Sequence, residues 1–199
     1  MKALILNCSL KPRPEVSNTE ALSGVVAAEL RRLGVETELL RVTDYRLKHG
    51  VMTDMGEGDQ WPELHARVEE AGILLMASPT WLGRPSSVAQ QVLERMDAMI
   101  SEKRGELPVA YGKVAGVVCT GNEDGAHHVI SEICGALIDI GYTIPPQAWT
   151  YWNKGPGPGQ EYLQTDYRHD WSEKTGRQAA RNLVAVAAAL QSARFSYDT

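Results

Sequence analysis

The feature that most constrains this chain is its opening, an apolar run Lys2-Ala-Leu-Ile-Leu-Asn-Cys8 set directly against a polar loop, Ser9 to Thr19. A short apolar run bounded in this way suits a strand buried on both faces, and such strands belong to parallel sheets covered by helices. The loop gives way to a stretch with Leu22, Val25, Val26, Leu30 and Leu33 on one side, the spacing of an amphipathic helix. A helix that starts at Ser17 to Thr19 directs unpaired backbone N–H groups, and the positive end of its dipole, into the loop. Ser9, Ser17, Asn18 and Thr19 add side-chain hydrogen-bonding groups, and Lys11 and Arg13 add positive charge, so an anion fits there. Ser, Asn and Thr are also preferred helix caps. Taken alone, the loop is equally consistent with a well-capped helix that holds nothing.

The same unit recurs down the chain. Val35 to Val42 alternates as a half-exposed edge strand would, and Gly72 to Ser78 is apolar throughout, hence central. Between them, Tyr45 to Asp59 shows no period, and Trp61-Pro62 opens a helix to about Glu70. From about Pro85, Val88, Val92, Leu93, Met96, Met99 and Ile100 form a helical stripe, read as core. Val114 to Cys119 makes a fourth buried strand, and the helix after it turns Ile130, Ile133, Leu137 and Ile140 inward and stops at Gly141. A fifth strand is expected near Gln147 to Trp152. Gly155-Pro-Gly-Pro-Gly159 cannot be regular structure, and a last helix with Leu183, Val186 and Leu190 on its apolar face runs from about Ser172 to Gln191. Strands alternating with helices predict an α/β fold, a parallel sheet covered on both faces with right-handed crossovers. With no internal repeat and no linker, residues 1–199 read as a single domain.

Twenty basic and 25 acidic residues give a formal charge of −5, which suits neither a nucleic-acid surface nor a polybasic membrane surface. The apolar runs fall far short of the roughly 20 residues a membrane span needs, and the N-terminus lacks the pattern of a signal peptide. A cytoplasmic protein without nucleic-acid or membrane partners is the expectation. The cysteines, Cys8, Cys119 and Cys134, form no CxxC pair and are odd in number. They read as small buried apolar residues rather than ligands of a metal.

In open α/β sheets ligands bind beyond the carboxyl ends of the strands. The loops after Cys8, Ala77 and Cys119 stand there, all rich in Gly, Pro, Ser or Thr, as close backbone approach to a flat ligand requires. A dinucleotide-binding GxGxxG is missing, since the first loop contains no glycine, and GxxxxGK[ST] is missing too. The acidic residues of a receiver domain are replaced by Asn7-Cys8-Ser9 and Ala77-Ser78-Pro79.

Ser9 to Thr19 leading into Glu20-Ala21-Leu22, with Ser78-Pro79-Thr80-Trp81-Leu82-Gly83-Arg84-Pro85-Ser86 and the third loop Thr120 to Gly125, resembles the NADPH-dependent FMN reductase family. The similarity covers roughly residues 1 to 150 and is nearest the branch of iron–sulfur flavoproteins and flavodoxin-like quinone reductases. It implies a flavodoxin-like three-layer sandwich with a five-stranded parallel sheet in the order 2-1-3-4-5, and a homodimer or homotetramer. It further implies FMN as cofactor, with Ser9, Lys11, Ser17, Asn18 and Thr19 on the phosphate. Pro79, Thr80, Trp81, Leu82 and Gly83 would wrap the isoalloxazine ring, and Thr120, Gly121, Asn122 and Gly125 would close its other edge. Residues 43 to 71 lack the cysteine cluster of the iron–sulfur members, so an iron–sulfur cluster is not expected.

The chemistry implied is hydride transfer from NADPH or NADH to the flavin and onward to a quinone, free flavin or similar small-molecule acceptor. Backbone N–H groups near Leu82 and Gly83 are candidates for the reactive ring nitrogen, and no side-chain acid or base is assigned. His127 and His128 stand where the third loop would meet the ring, or serve as capping or solvated residues. Trp81 stacks on the flavin or lines the nicotinamide pocket, or simply packs, while Trp149, Tyr151 and Trp152 read as core and subunit contact. Two other readings stay open. One is a flavodoxin-like electron carrier, which the bases Lys11, Arg13 and Arg84 disfavour because carriers are acidic around the flavin. The other is an SGNH-type esterase using Ser9, Asn122, Asp166 and His169, although Gly-Asp is missing before Ser9 and Glu123 stands where that family has Asp.

Overall fold

In a computed structural model, which describes residues 1–197, the opening run is strand β1, Lys2–Asn7, buried at every position after Lys2. Helix α1, Asn18–Arg32, comes after the polar loop and is capped by Ser17, whose Oγ accepts from the Glu20 N–H. The chain continues through β2 (Glu36–Arg41), α2 (Trp61–Glu70), β3 (Ile73–Trp81) and α3 (Ser87–Met96). It then forms β4 (Val114–Gly121), α4 (Ala126–Ile140), β5 (Trp149–Asn153) and α5 (His169–Leu190). All neighbouring strand pairs are parallel, in the spatial order β2-β1-β3-β4-β5. This is the flavodoxin-like order, and it brings the loops after β1, β3 and β4 together at one end of the sheet.

Alternation along the strands divides the core into two layers. Leu4, Leu6, Leu74, Met76 and Val117 pack under α2, α3 and α4 against Leu64, Val92, Met96, Ile133 and Leu137. Ala3, Ile5, Ile73, Leu75 and Val118 face Leu22, Val26 and Leu30 of α1 and Leu183 of α5. One-residue slips would exchange these faces, so the apolar pattern itself sets the register.

Several boundaries differ from the sequence reading. Strand β3 does not stop at Ser78 but runs to Trp81, because Arg84-Pro85 folds back antiparallel on Thr80-Trp81. The two-residue turn between them places Leu82 at φ 52° and Gly83 at φ 74°, the paired positive angles of a type I′ hairpin. Helix α3 starts at Ser87 rather than Pro85 and gives way to a 3₁₀ turn, Asp97–Ile100, which leaves Ile100 exposed at the end of the expected stripe. Strand β5 starts at Trp149 because Gln147 has φ 48°, and α5 begins three residues before Ser172.

Charged groups are built into the core at two places. Arg95 and Asp59, both 0% exposed, pair at 2.7 Å. Arg95 also donates to the carbonyls of Lys48, Met52 and Thr53, and Asp59 accepts from the N–H groups of Lys48, Met55 and Trp61. The irregular segment 45–60 is folded around this pair. Lys113 donates to the Glu69 carbonyl at 2.6 Å and caps the end of α2. Burial, helped by the nearby Arg104 charge, pushes its amine down to about 8.

Because the folded pKa of Lys113 lies below the free value, the unfolded chain binds the extra proton between about pH 8 and 10.5. Stability contributed at this site therefore rises with pH across that window. Comparing the parent with Lys113→Met by urea unfolding cancels the other alkaline titrations. The parent is expected to gain on the order of 3 kcal/mol relative to the variant between pH 8 and 10.5, and a pH-independent difference would contradict the assignment.

Candidate functional site

Asn7 is the one buried polar side chain in the opening run, at the end of β1. Its Oδ1 accepts from the Ser9 N–H at 3.2 Å, and its Nδ2 donates to Ser17 Oγ at 3.3 Å. The two ends of the first loop are thereby pinned together. From beneath, the buried guanidinium of Arg41, at the end of β2, donates to the carbonyls of Lys11 (3.2 Å) and Glu15 (2.6 Å) and pairs with Glu20. Burial pushes the Glu20 carboxyl up, but the bonds from Arg41 and Arg13 prevail and hold it below the usual range. These contacts shape the loop so that Ser9, Lys11, Ser17 and Thr19 face a common cleft.

At the first turn of α1, the Glu20 N–H is satisfied by Ser17 Oγ and the Ala21 N–H by the Ser17 carbonyl. The N–H groups of Asn18 and Thr19 have no acceptor among the described residues, so the helix offers two donors to the cleft. Thr19 Oγ1 and Thr120 Oγ1 lie 2.7 Å apart and join the first loop to the end of β4. Lys11 makes no ion pair among the described residues.

Two expectations about the charges here are corrected. Arg13 pairs with Asp44 (3.0 Å) and Glu20 (3.2 Å), and Arg84 pairs with Glu132 (2.8 Å), so neither guanidinium is free for a phosphate. The Asn18 side chain donates to Glu161 and accepts from the Leu163 N–H at 3.0 Å. Asn18 and Glu161 both line the cleft, so this amide ties the segment after Gly159 to the cleft wall, and the Asn18 backbone N–H has no acceptor among the described residues.

The second loop contributes Pro79, Thr80 and Trp81 to the cleft, and the third contributes Thr120, Gly121 and Asn122. Leu82, Gly83 and Gly125 stand just outside, where the two loop tips meet. A Cβ on Gly125, whose φ is 108°, would lie 2.6 Å from Gly83 Cα, and one on Gly121 would lie 2.9 Å from Thr80 Cβ. Only glycine permits this approach. Leu82 is 91% exposed and Trp81 51% exposed, so the rim offers apolar surface left uncovered by the described residues.

The structure adds Leu10, Trp152, Glu161 and Tyr162 to the walls. Among the sequence signals, a polar Asn closing an apolar strand marks Asn7, whereas Arg41 and Glu161 carry none. Trp152 is buried and forms an edge-to-face pair with Tyr162, as the core reading anticipated. Trp149 and Tyr151 stack on each other at the sheet edge, with His127 packed edgewise on both at 5.7 and 5.1 Å. His128 pairs with Glu132 at 3.0 Å and lies outside the lining.

The esterase arrangement does not assemble. His169 spends Nε2 on the Tyr162 carbonyl at 2.8 Å and stacks on that ring, Asn122 donates to the Gly159 carbonyl, and Ser9 Oγ accepts from the Lys11 N–H. Nothing links Ser9, Asp166 and His169 as nucleophile, orienter and base. Nor are the cysteines poised as nucleophiles: burial pushes the Cys8 thiol up and that of Cys119 up to about 12.

The unpartnered donors, the hydroxyls and the glycine-lined slot beside an exposed tryptophan fit a flat molecule with a phosphorylated tail, as FMN is. Comparison with known proteins agrees. The model of the family described as NADPH-dependent FMN reductase matches residues 1–155. The 8-demethyl-8-aminoriboflavin-5'-phosphate synthase of Streptomyces davaonensis is 33% identical, with 100% of this chain and 81% of that protein aligned. The crystal structure of RosB with bound 8-demethyl-8-formylriboflavin-5'-phosphate superimposes with a TM-score of 0.89 at 34% identity, over 96% of this chain and 80% of that one. A Mycobacterium bovis protein named divalent metal cation transporter MntH is 36% identical over this whole chain, which spans only 30% of that protein's length. No helix among the described residues is long and apolar enough to cross a membrane. With the family matched over most of its length, this chain belongs to the NADPH-dependent FMN reductase family.

Proposed function

We propose that the cleft holds FMN, with the phosphate at the first turn of α1 and the ring between the β3 and β4 loops, in an NAD(P)H-dependent reductase acting on a quinone, flavin or similar acceptor. The observation that carries the reading is the pair of unpartnered N–H groups at Asn18 and Thr19, opening with Ser9, Lys11 and Ser17 onto the same cleft as Trp81 and Asn122. Bound there, FMN would supply two-electron hydride chemistry between a nicotinamide and the acceptor, with the acceptor's second proton drawn from solvent.

The chain's own residues bind and orient. Ser17 and Thr19 hydroxyls and the α1 N–H groups hold the phosphate, and Lys11 offsets its charge. The Leu82 and Gly83 N–H groups, which have no acceptor among the described residues, serve the reactive edge of the ring. The hairpin turn holds them in place, and the tight Gly83–Gly125 contact fixes the two loop tips against each other.

A second reading is favoured by the full-length similarity to an aminoriboflavin phosphate synthase: FMN as substrate, altered on the ring, rather than as resident cofactor. One preparation separates the two. Loaded with FMN and mixed anaerobically with NADPH or NADH, the protein is expected to lose the flavin's visible absorbance and recover it with a quinone, and the flavin released afterwards should have the mass of FMN. A flavin of changed mass supports the synthase reading, and FMN that is neither bleached nor altered supports the carrier. Ser17→Ala combined with Thr19→Ala is expected to weaken FMN binding by about 3 kcal/mol, on the order of two charge-assisted bonds. Unchanged affinity would refute the phosphate placement.

A further inference from the structure

Three walls of the flavin cleft are held firmly. Asn7 and Arg41 pin the first loop, the hairpin turn shapes the second, and the Gly83–Gly125 contact sets the third against it. The fourth wall comes from residues 154–165, a strap between β5 and α5 that lies almost wholly beyond the end of the family match and brings Glu161 and Tyr162 to the cleft. Its two halves are held very differently. Tyr162, 4% exposed, stacks on His169 with centroids 3.9 Å apart and meets Trp152 edge to face, so the second half is anchored. In the first half, Lys154-Gly-Pro-Gly-Pro-Gly-Gln-Glu161, no residue is buried, and residues 156–160 are exposed. Between Gly155 and Gly159 the one hydrogen bond among the described residues is the Asn122 amide donating to the Gly159 carbonyl at 3.3 Å. Few buried contacts and an exposed backbone mark a segment that opens locally with little free energy.

Two further contacts close it. On the third loop, Gly157 sits so near its neighbours that a Cβ there would lie 2.6 Å from the Asn122 carbonyl oxygen and from Glu123 Cα. At the first turn of α1, Glu161 accepts from Asn18 Nδ2. The Leu163 N–H, just past the Tyr162 anchor, donates to Asn18 Oδ1 at 3.0 Å and so turns the amide toward Glu161. With the strap closed, the cleft leaves only about 60 Å³ free, short of the roughly 300 Å³ at which small-molecule sites begin. One wall has to yield before a flavin enters, and the strap has the fewest contacts to break.

We propose that residues 154–161 swing aside to admit and release the flavin and close over its phosphorylated tail, with the Asn18–Glu161 bond as the latch. This rests on the placement of FMN in the cleft, and on neither the nicotinamide nor the acceptor. The consequence is kinetic. A latch made with and without ligand sets how fast flavin exchanges, because opening precedes both entry and exit. An amide that merely held the phosphate would act differently: it would slow release and leave entry alone.

The test is stopped-flow flavin fluorescence, following FMN association and its release on large dilution. Asn18→Ala removes both bonds of the latch and keeps the α1 N–H groups. It is expected to raise the association and release rates together, each at least ~10-fold. Gly157→Ala, outside the cleft, lifts the strap off the third loop and is expected to raise both rates as well. Faster release alone in Asn18→Ala, or parent-like rates in both variants, overturns the strap, while the binding itself leaves the flavin placement standing. FMN accepted by the variants and refused by the parent supports the strap. FMN refused by all three overturns the flavin placement and the strap with it.

Discussion

Replacing Arg41 by methionine is expected to remove most of the FMN affinity, on the order of 100-fold, although Arg41 does not line the cleft. Its guanidinium is 4% exposed and holds three separate acceptors, the carbonyls of Lys11 and Glu15 and the Glu20 carboxylate. Methionine fills the volume but leaves the Glu15 carbonyl without a donor, the Lys11 carbonyl with Thr43 Oγ1 alone, and Glu20 with Arg13 and Asn7. Leaving a buried acceptor unsatisfied, or removing a charge-assisted bond, costs about 1–3 kcal/mol each, and part of that loss falls on the loop that positions Ser9, Lys11 and Ser17. Arg41→Lys keeps the charge, but one ammonium cannot reach all three acceptors in the geometry of a fork. It is expected to recover thermal stability in part while FMN affinity stays low. Fluorescence titration of FMN alongside thermal unfolding of the FMN-free protein separates the effects. A variant that loses stability yet binds FMN within threefold of the parent would make Arg41 structural only.

The contrast between Arg41 and Asn7 shows what a sequence can disclose. Strand order, helix faces and the three functional loops are dictated by apolar runs and their punctuation, because burial on two faces leaves little choice of register. Ser17 and Thr19 are legible for the same reason: the caps a helix needs are also the donors that an anion uses. Arg41, by contrast, ends an alternating strand whose pattern is equally compatible with a solvated arginine, and its three acceptors come from residues 11, 15 and 20. Only the fold brings them together. The reverse error arises with Arg13 and Arg84, whose chemistry suits an anion but whose partners Asp44 and Glu132 are distant in sequence. With two of the three bases already paired, the positive charge facing the cleft reduces to Lys11 and the end of α1. Charge therefore disfavours an electron carrier less than the sequence suggests, and the reductase reading leans instead on the exposed, open rim at Trp81 and Leu82, where a second planar substrate can reach the ring.

The other large effect is expected at Arg95, on the opposite side of the sheet from α1. Arg95→Met should lower the free energy of unfolding by about 3–5 kcal/mol, a large share of the roughly 5–15 kcal/mol typical of a domain. The reason is that Asp59 stays behind, fully buried, with its charge uncompensated. Burial alone would push the Asp59 carboxyl up, but Arg95 and the N–H groups of Met55, Lys48 and Trp61 hold it well below the carboxylate range. A group depressed in the folded state lends stability above its unfolded pKa, here about 4, and loses it as pH falls. Without Arg95 the effect of burial dominates, the Asp59 pKa rises, and protonation becomes favourable in the folded chain. The difference between parent and variant should therefore shrink as pH falls from 6 toward 3, which denaturant titrations at several pH values measure directly. Arg95→Met combined with Asp59→Asn is expected to recover part of the loss at neutral pH, since the amide oxygen still accepts from the backbone N–H groups and no charge is stranded. FMN affinity should be unaffected in both variants that fold, because neither residue lines the flavin cleft. A loss below about 1 kcal/mol, or a difference that does not change with pH, would mean that segment 45–60 is held by its other contacts and the buried pair is incidental to it.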